Sequence, residues 1–136
     1  MKLLIPTDGS VYSSNAAKVA AEIALNHDYK LVVLHVVPDK GFSRKTWQNK
    51  GADSVISIIT DILIEAGCDE NRIETIIEDG NAPEKIVEIA RNESVDRIVI
   101  GTQGKSGIKK IVGSVTEKVL QTSDALVLVV PPNYNV

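Results

Sequence analysis

The 136-residue chain is poor in cysteine, histidine and surplus positive charge, and each shortage closes off a class of function. Cys68 is the only cysteine, so no internal disulfide forms, which suits a reducing compartment. Two scattered histidines, His27 and His35, and that one cysteine give no metal-ligand spacing. No Ser-His-Asp or Cys-His arrangement supports hydrolytic nucleophilic catalysis. The net charge of -3 leaves no basic surplus to neutralise a phosphate backbone, so a general nucleic-acid binder is not expected. No apolar run approaches the roughly 20 residues of a membrane helix. Met1 to Pro6 is too short for a signal peptide and runs straight into the fold, so a cytoplasmic protein without membrane partners is expected. Without an export signal, the sequon Asn92-Glu93-Ser94 carries little weight.

What remains is a globular composition, 43% hydrophobic and 24% charged, of a length that suits a single domain over 1–136. The apolar pattern alternates between strands and helices. Lys2 to Thr7 reads as a buried strand that ends in the turn chemistry of Pro6-Thr7-Asp8-Gly9-Ser10. Ala16, Val19, Ala20, Ile23 and Ala24 recur at helical spacing. Lys30 to Val37 is a second buried strand, stopped by Pro38. Residues 39–50 are polar and aperiodic and read as a connection, with Trp47 close to the start of the helix that carries Ala52 to Ala66. Gly67 is a C-cap candidate. Arg72 to Glu78 alternates apolar with charged, the mark of an edge strand. Asn81-Ala82-Pro83-Glu84 has N-cap chemistry. Arg97 to Ile100 is a strand, Ser114 to about Thr122 a helix, and Ala125 to Val130 a last strand. Such alternation builds an open five-stranded parallel sheet with helices on both faces, and ligands bind such sheets at the carboxyl ends of the strands.

The stretch from Ile98 to Glu117 is the strongest local signal. An apolar strand leads into a glycine-rich loop and then a helix start, an arrangement that brings backbone N–H groups to a phosphate. It is not a P-loop: Gly104-Lys105-Ser106 looks like the end of one, but position 99 holds Val99 where the motif needs glycine. Nor does the glycine spacing fit the dinucleotide G-x-G-x-x-G. A plainer explanation stands beside the phosphate cradle, because Ser114 with Glu117 forms a capping box that needs no ligand. Lys105, Lys109 and Lys110 meet phosphates on one reading and form a solvated basic face on the other. Asp8 is either turn chemistry or an acceptor for an amine, a ribose or a metal. As a phospho-acceptor it lacks the acidic cluster that receiver domains carry. His35, inside an apolar strand, reads as a core histidine with a satisfied hydrogen bond, and His27 as exposed. The last strand is apolar on both faces yet belongs at a sheet edge, which calls for a second copy, a helix or the C-terminal tail to cover it.

Taken together and in order, these stretches resemble the universal stress protein family over essentially the whole chain. The resemblance rests on Leu4 to Ser10, Leu34 to Val37, Ile100 to Gly104, Gly113 to Val119 and Leu126 to Pro131. It implies a Rossmann-like fold of the adenine nucleotide alpha hydrolase type with strand order 3-2-1-4-5. It implies a dimer formed through the last strand, Ala125 to Val130, and ATP with Mg2+ or Mn2+ as ligand. Pro6, Thr7, Asp8, Val36, Ile100, Gly101, Gly104, Gly113, Ser114, Val115 and Thr116 would line the site. Asp8 would lie near the adenine and ribose, Val36 would line the adenine pocket, Gly101 would approach the ribose, and Gly104, Gly113, Ser114 and Val115 would hold the phosphates with Thr116 beside them. Nucleotide-binding members carry G-x2-G-x9-G-[ST]; here Lys105 to Val112 is one residue shorter. The expected function is a nucleotide-dependent regulatory dimer with an unidentified protein partner. Hydrolysis would be slow at most, since no general base or arginine finger is evident. A family member that works through protein contacts without nucleotide is the alternative. An adenylating enzyme would need a serine- and glycine-rich phosphate loop that Thr7-Asp8-Gly9-Ser10 does not supply.

Overall fold

The computed structural model describes residues 1–38, 45–103 and 112–134, with side chains described outside 45–50. Five strands and four helices alternate along the chain: β1 Lys2–Pro6, α1 Val11–Asn26, β2 Lys30–Val37, α2 Lys45–Glu65, β3 Ile73–Asp79, α3 Ala82–Asn92, β4 Arg97–Gly101, α4 Ser114–Thr122 and β5 Leu126–Val130. A single 3-10 turn, Glu70–Arg72, precedes β3. All strand pairs are parallel and their order is β3-β2-β1-β4-β5, the expected one.

Strands buried on both faces read as continuous apolar runs because successive side chains serve opposite layers. Leu3, Ile5, Leu31, Val33 and Val99 pack with Ala16, Ala17 and Ala20 of α1 and with Ile59 and Leu63 of α2. Their alternates, Leu4, Val32, Leu34, Ile98 and Ile100, pack with Ile86 and Ile89 of α3 and Val119 of α4. Alanines on the buried face of α1 let that helix lie close to the sheet. No described helix is long and apolar enough to cross a membrane.

Local chemistry sets the helix ends. Ser10 caps α1, accepting from Ser13 N–H at 3.3 Å. Asn81 caps α3, accepting from Glu84 N–H at 3.1 Å. Gly67, at φ +106°, ends α2: Cys68 N–H reaches Leu63 O and Gly67 N–H reaches Ile64 O, both at 3.0 Å. α2 itself begins at Lys45, earlier than the polar run 39–50 suggested. The first turns of that helix offer no apolar stripe, so its start left no period to read.

β3 is an edge strand, as its charges implied. β5 is the other edge, and its outer apolar face is not covered within the described chain: Leu126 is 68% and Leu128 39% exposed. The segment after β5 turns away to α1, where Asn15 Nδ2 donates to Pro132 O at 3.2 Å.

Candidate functional site

The sheet opens at the carboxyl end of β1. Pairing of β1 with β2 runs from Lys2–Lys30 to Pro6–Leu34, whereas pairing of β1 with β4 covers only Leu3–Arg97 and Leu4–Ile98. These are the strands from which the chain leaves toward opposite edges of the sheet, where such folds open a crevice. A cavity of about 90 Å3 lies there. Pro6, Thr7, Asp8 and Ser13 form one wall, Leu34, Val36, Ala82 and Ile86 another, and Ile100, Gly101, Gln103, Val115 and Thr116 the rest. Most of its lining is apolar, with Thr7, Ser13, Thr116 and Asp8 among its polar members.

The buried polar residues among those described are Thr7, Ser13, Thr102 and Thr116, and all of them gather at this end of β1 and β4. Burying a hydroxyl costs free energy unless a partner is supplied, and three of the four are partnered. Thr116 Oγ1 donates to Gly101 O at 2.8 Å. Ser13 Oγ donates to Asp8 Oδ1 at 3.0 Å. Thr7 Oγ1 accepts from Gly9 N–H at 3.2 Å. Thr102 Oγ1 is buried with no partner. Thr102 O accepts from Gly113 N–H at 2.6 Å, so α4 is tied to the end of β4 through both Thr102 and Gly101.

Asp8 sits in a tight turn. Its Oδ1 accepts from Ser10 N–H at 3.0 Å, and Gly9 takes φ +83° to make the turn. His35 Nδ1 lies 2.8 Å from Thr7 O; a carbonyl only accepts, so the ring donates there. His35 thus has the hydrogen-bond partner expected of it but is half-buried rather than a core residue, and His27 is exposed, as expected.

The start of α4 differs from the capping box read in Ser114 and Glu117. Gly113 occupies the N-cap, Ser114 is the first helical residue, and no described side chain caps the helix. The helix begins one residue early because Glu117 N–H reaches Gly113 O at 2.9 Å. A capped end would have needed no ligand. Among the described residues no side chain accepts from the first-turn N–H donors of this one, which carry partial positive charge.

Of the anticipated site residues, Pro6, Thr7, Asp8, Val36, Ile100, Gly101, Val115 and Thr116 line the cavity. Ser114 lines a wider cleft that continues from it past Val36, Ala82 and Val115 to Lys118. Gly113 is the N-cap of α4, next to Ser114. Gly104, with Gly107, Lys105, Lys109 and Lys110, lies outside the described residues, as does the Trp47 side chain. Sequence reading missed Ser13, Leu34, Ala82, Ile86 and Gln103. Ala82 and Ile86 had a signal in their helical spacing; which end of α3 reaches the crevice did not. Gly101 is glycine for a reason other than ligand approach: a Cβ there would meet Tyr12 of α1.

The model of the universal stress protein family matches residues 1–131. The chain belongs to that family. Universal stress protein MJ0531 of Methanocaldococcus jannaschii is 34% identical, over 95% of this chain and 81% of its own length. MJ0577 of the same organism, also a universal stress protein, is 30% identical over 95% of this chain and 93% of its own. The solved structure of MJ0577 superimposes with a TM-score of 0.84, covering 99% of this chain and 97% of that one. The universal stress protein of Archaeoglobus fulgidus, solved in complex with dAMP, shares the fold at a TM-score of 0.78 and 23% identity, over 95% of this chain and 96% of that one. The family's Rossmann-like parallel sheet is therefore the fold of this chain.

Proposed function

We propose that this universal stress protein binds an adenine nucleotide, ATP with Mg2+ or Mn2+, in the crevice between β1 and β4 and acts as a cytoplasmic, nucleotide-dependent regulator. One observation carries the reading. An apolar slot, the buried serine and threonines of the described chain and a helix start with no side-chain cap among the described residues meet at one end of the sheet. A base suits the slot between Val36, Ile86 and Ile100. Asp8 offers acceptors to a ribose or an amine. The N–H groups of Ser114 and Val115 suit phosphate oxygens. Among the described residues no group of three His, Cys, Asp or Glu side chains stands ready for a metal, so a divalent ion would be held through the phosphates. The dAMP held by the Archaeoglobus fulgidus protein agrees with this reading but shares only the fold, so the local geometry bears the weight.

The exposed Leu126 and Leu128 of the β5 edge support a homodimer through that strand. Leu126→Asp should then halve the mass measured by sedimentation; an unchanged mass would remove the edge from the interface. Hydrolysis is slow at most, and the output passes through an unidentified protein partner.

A second reading, regulation by protein contacts without nucleotide, is favoured by the shortened Lys105 to Val112 connection. The experiment is direct: denature the purified protein and separate the released small molecules by anion exchange, then titrate emptied protein with Mg-ATP by calorimetry. Stoichiometric adenine nucleotide, or saturable heat, upholds the first reading, and Gly113→Val should abolish it. Silence in both at millimolar nucleotide leaves the second.

A further inference from the structure

We infer that Ser13 is the positioning residue that aims the Asp8 carboxylate into the nucleotide crevice, an inference that rests on the nucleotide reading above. Ser13 is buried, on the first turn of α1, and lines the same cavity as Asp8. A serine hydroxyl has one proton and two acceptor positions. Its proton goes to Asp8 Oδ1 at 3.0 Å. Its oxygen accepts from the Asp8 backbone N–H at 3.3 Å and faces the Ser10 hydroxyl at 3.4 Å. Ser13 therefore grips Asp8 at both backbone and side chain, and Ser10 N–H reaches the same Oδ1 at 3.0 Å.

The consequence is geometric. A carboxylate turns about two side-chain torsions, and a ligand that used a freely turning one would have to immobilise it on binding. Here Oδ1 is fixed before any ligand arrives. A ribose hydroxyl or an exocyclic amine would meet a carboxylate whose orientation is already set. Two observations separate this role from ordinary helix capping. The cap of α1 is already made by Ser10, which accepts from Ser13 N–H and needs only the Ser13 backbone. Moreover, the Ser13 hydroxyl points to Asp8 rather than back to a helix donor.

The test is a double-mutant cycle read by calorimetry with AMP, a probe that needs no metal, alongside thermal melting of the ligand-free proteins. Ser13→Ala should weaken AMP about tenfold or more when Asp8 is present, as expected for loss of one hydrogen bond to a charged group. In the Asp8→Asn background the same change should cost less than about twofold. If Asp8→Asn puts AMP out of range, Asp8→Glu serves as the background, because its longer arm takes the carboxylate away from Ser13. Equal losses in both backgrounds, or no loss with Asp8 present, would overturn the inference and leave the nucleotide reading standing. No binding of either AMP or Mg-ATP by the parent protein would overturn both; binding of Mg-ATP without AMP would leave the nucleotide reading standing and overturn this inference.

Discussion

Gly101 and Tyr12 stand in backbone contact across the sheet: a Cβ at position 101 would lie 2.8 Å from both Tyr12 Cβ and Tyr12 O. The alanine face of α1 permits this approach, and Gly101 completes it. The contact holds the first turn of α1, and with it Asp8 and Ser13, against the end of β4. Gly101→Ala must push the helix away and should cost about 1–3 kcal/mol, the usual penalty of overpacking. Urea unfolding measures it. A variant as stable as the parent would mean that α1 slides freely on the sheet.

Two buried threonines near each other should respond in opposite ways. Thr116→Val removes the donor to Gly101 O, leaving a buried carbonyl short of a partner, and should destabilise by about 1–3 kcal/mol. Thr102→Val removes a buried hydroxyl that has no partner to lose, so stability should hold or rise by about 1 kcal/mol. The pair shares residue type, substitution and neighbourhood, which makes the difference in unfolding free energy the informative quantity. A loss at Thr102 equal to that at Thr116 would show that its hydroxyl is bonded in solution.

Much of this architecture was legible in the chain because the signals were local. β1, β2 and β4 are buried on both faces and read as unbroken apolar runs, while β3 betrayed its edge position through Glu74 and Glu78. Asn81 and Gly67 marked helix ends by side-chain and backbone chemistry alone. The misreadings have equally physical causes. Ser114 carries the sequence signature of a cap, yet the backbone bond from Glu117 to Gly113 starts the helix one residue earlier. Lys45 opens α2 without an apolar stripe. The role of Gly101 depends on how closely α1, far away in the chain, packs on it, and no local pattern encodes that.

Cys68 gives a pH prediction. It follows the glycine cap of α2 and packs in the α1–α2 core, where burial pushes its thiol above the ordinary value of 9.0. The folded state therefore favours the protonated thiol, and the unfolded chain ionises first as pH rises. This contribution to stability is complete below the ordinary value and is lost as pH climbs through the range between the unfolded and folded values. Urea unfolding of the parent and Cys68→Ala at pH 7.5 and pH 10 isolates it, because other groups titrate alike in both proteins. The parent should lose more stability than the variant over that interval. A parallel loss would mean that the thiol ionises freely in the folded state.

Gly113 sets stability against function. Its φ of -71° and ψ of 164° suit any residue, so glycine is not required there by the backbone. The site is an N-cap, where aspartate accepts from the first-turn N–H groups and complements the helix dipole. Gly113→Asp should therefore stabilise the ligand-free protein by a few tenths to about 1 kcal/mol. The same carboxylate would occupy the donors proposed for phosphate and repel the incoming anion, so Mg-ATP affinity should fall by more than about tenfold. Melting and calorimetry on the one variant read both effects. A stabilised protein with unchanged affinity would place the phosphates away from α4; a destabilised one would show that the helix start is not the one described.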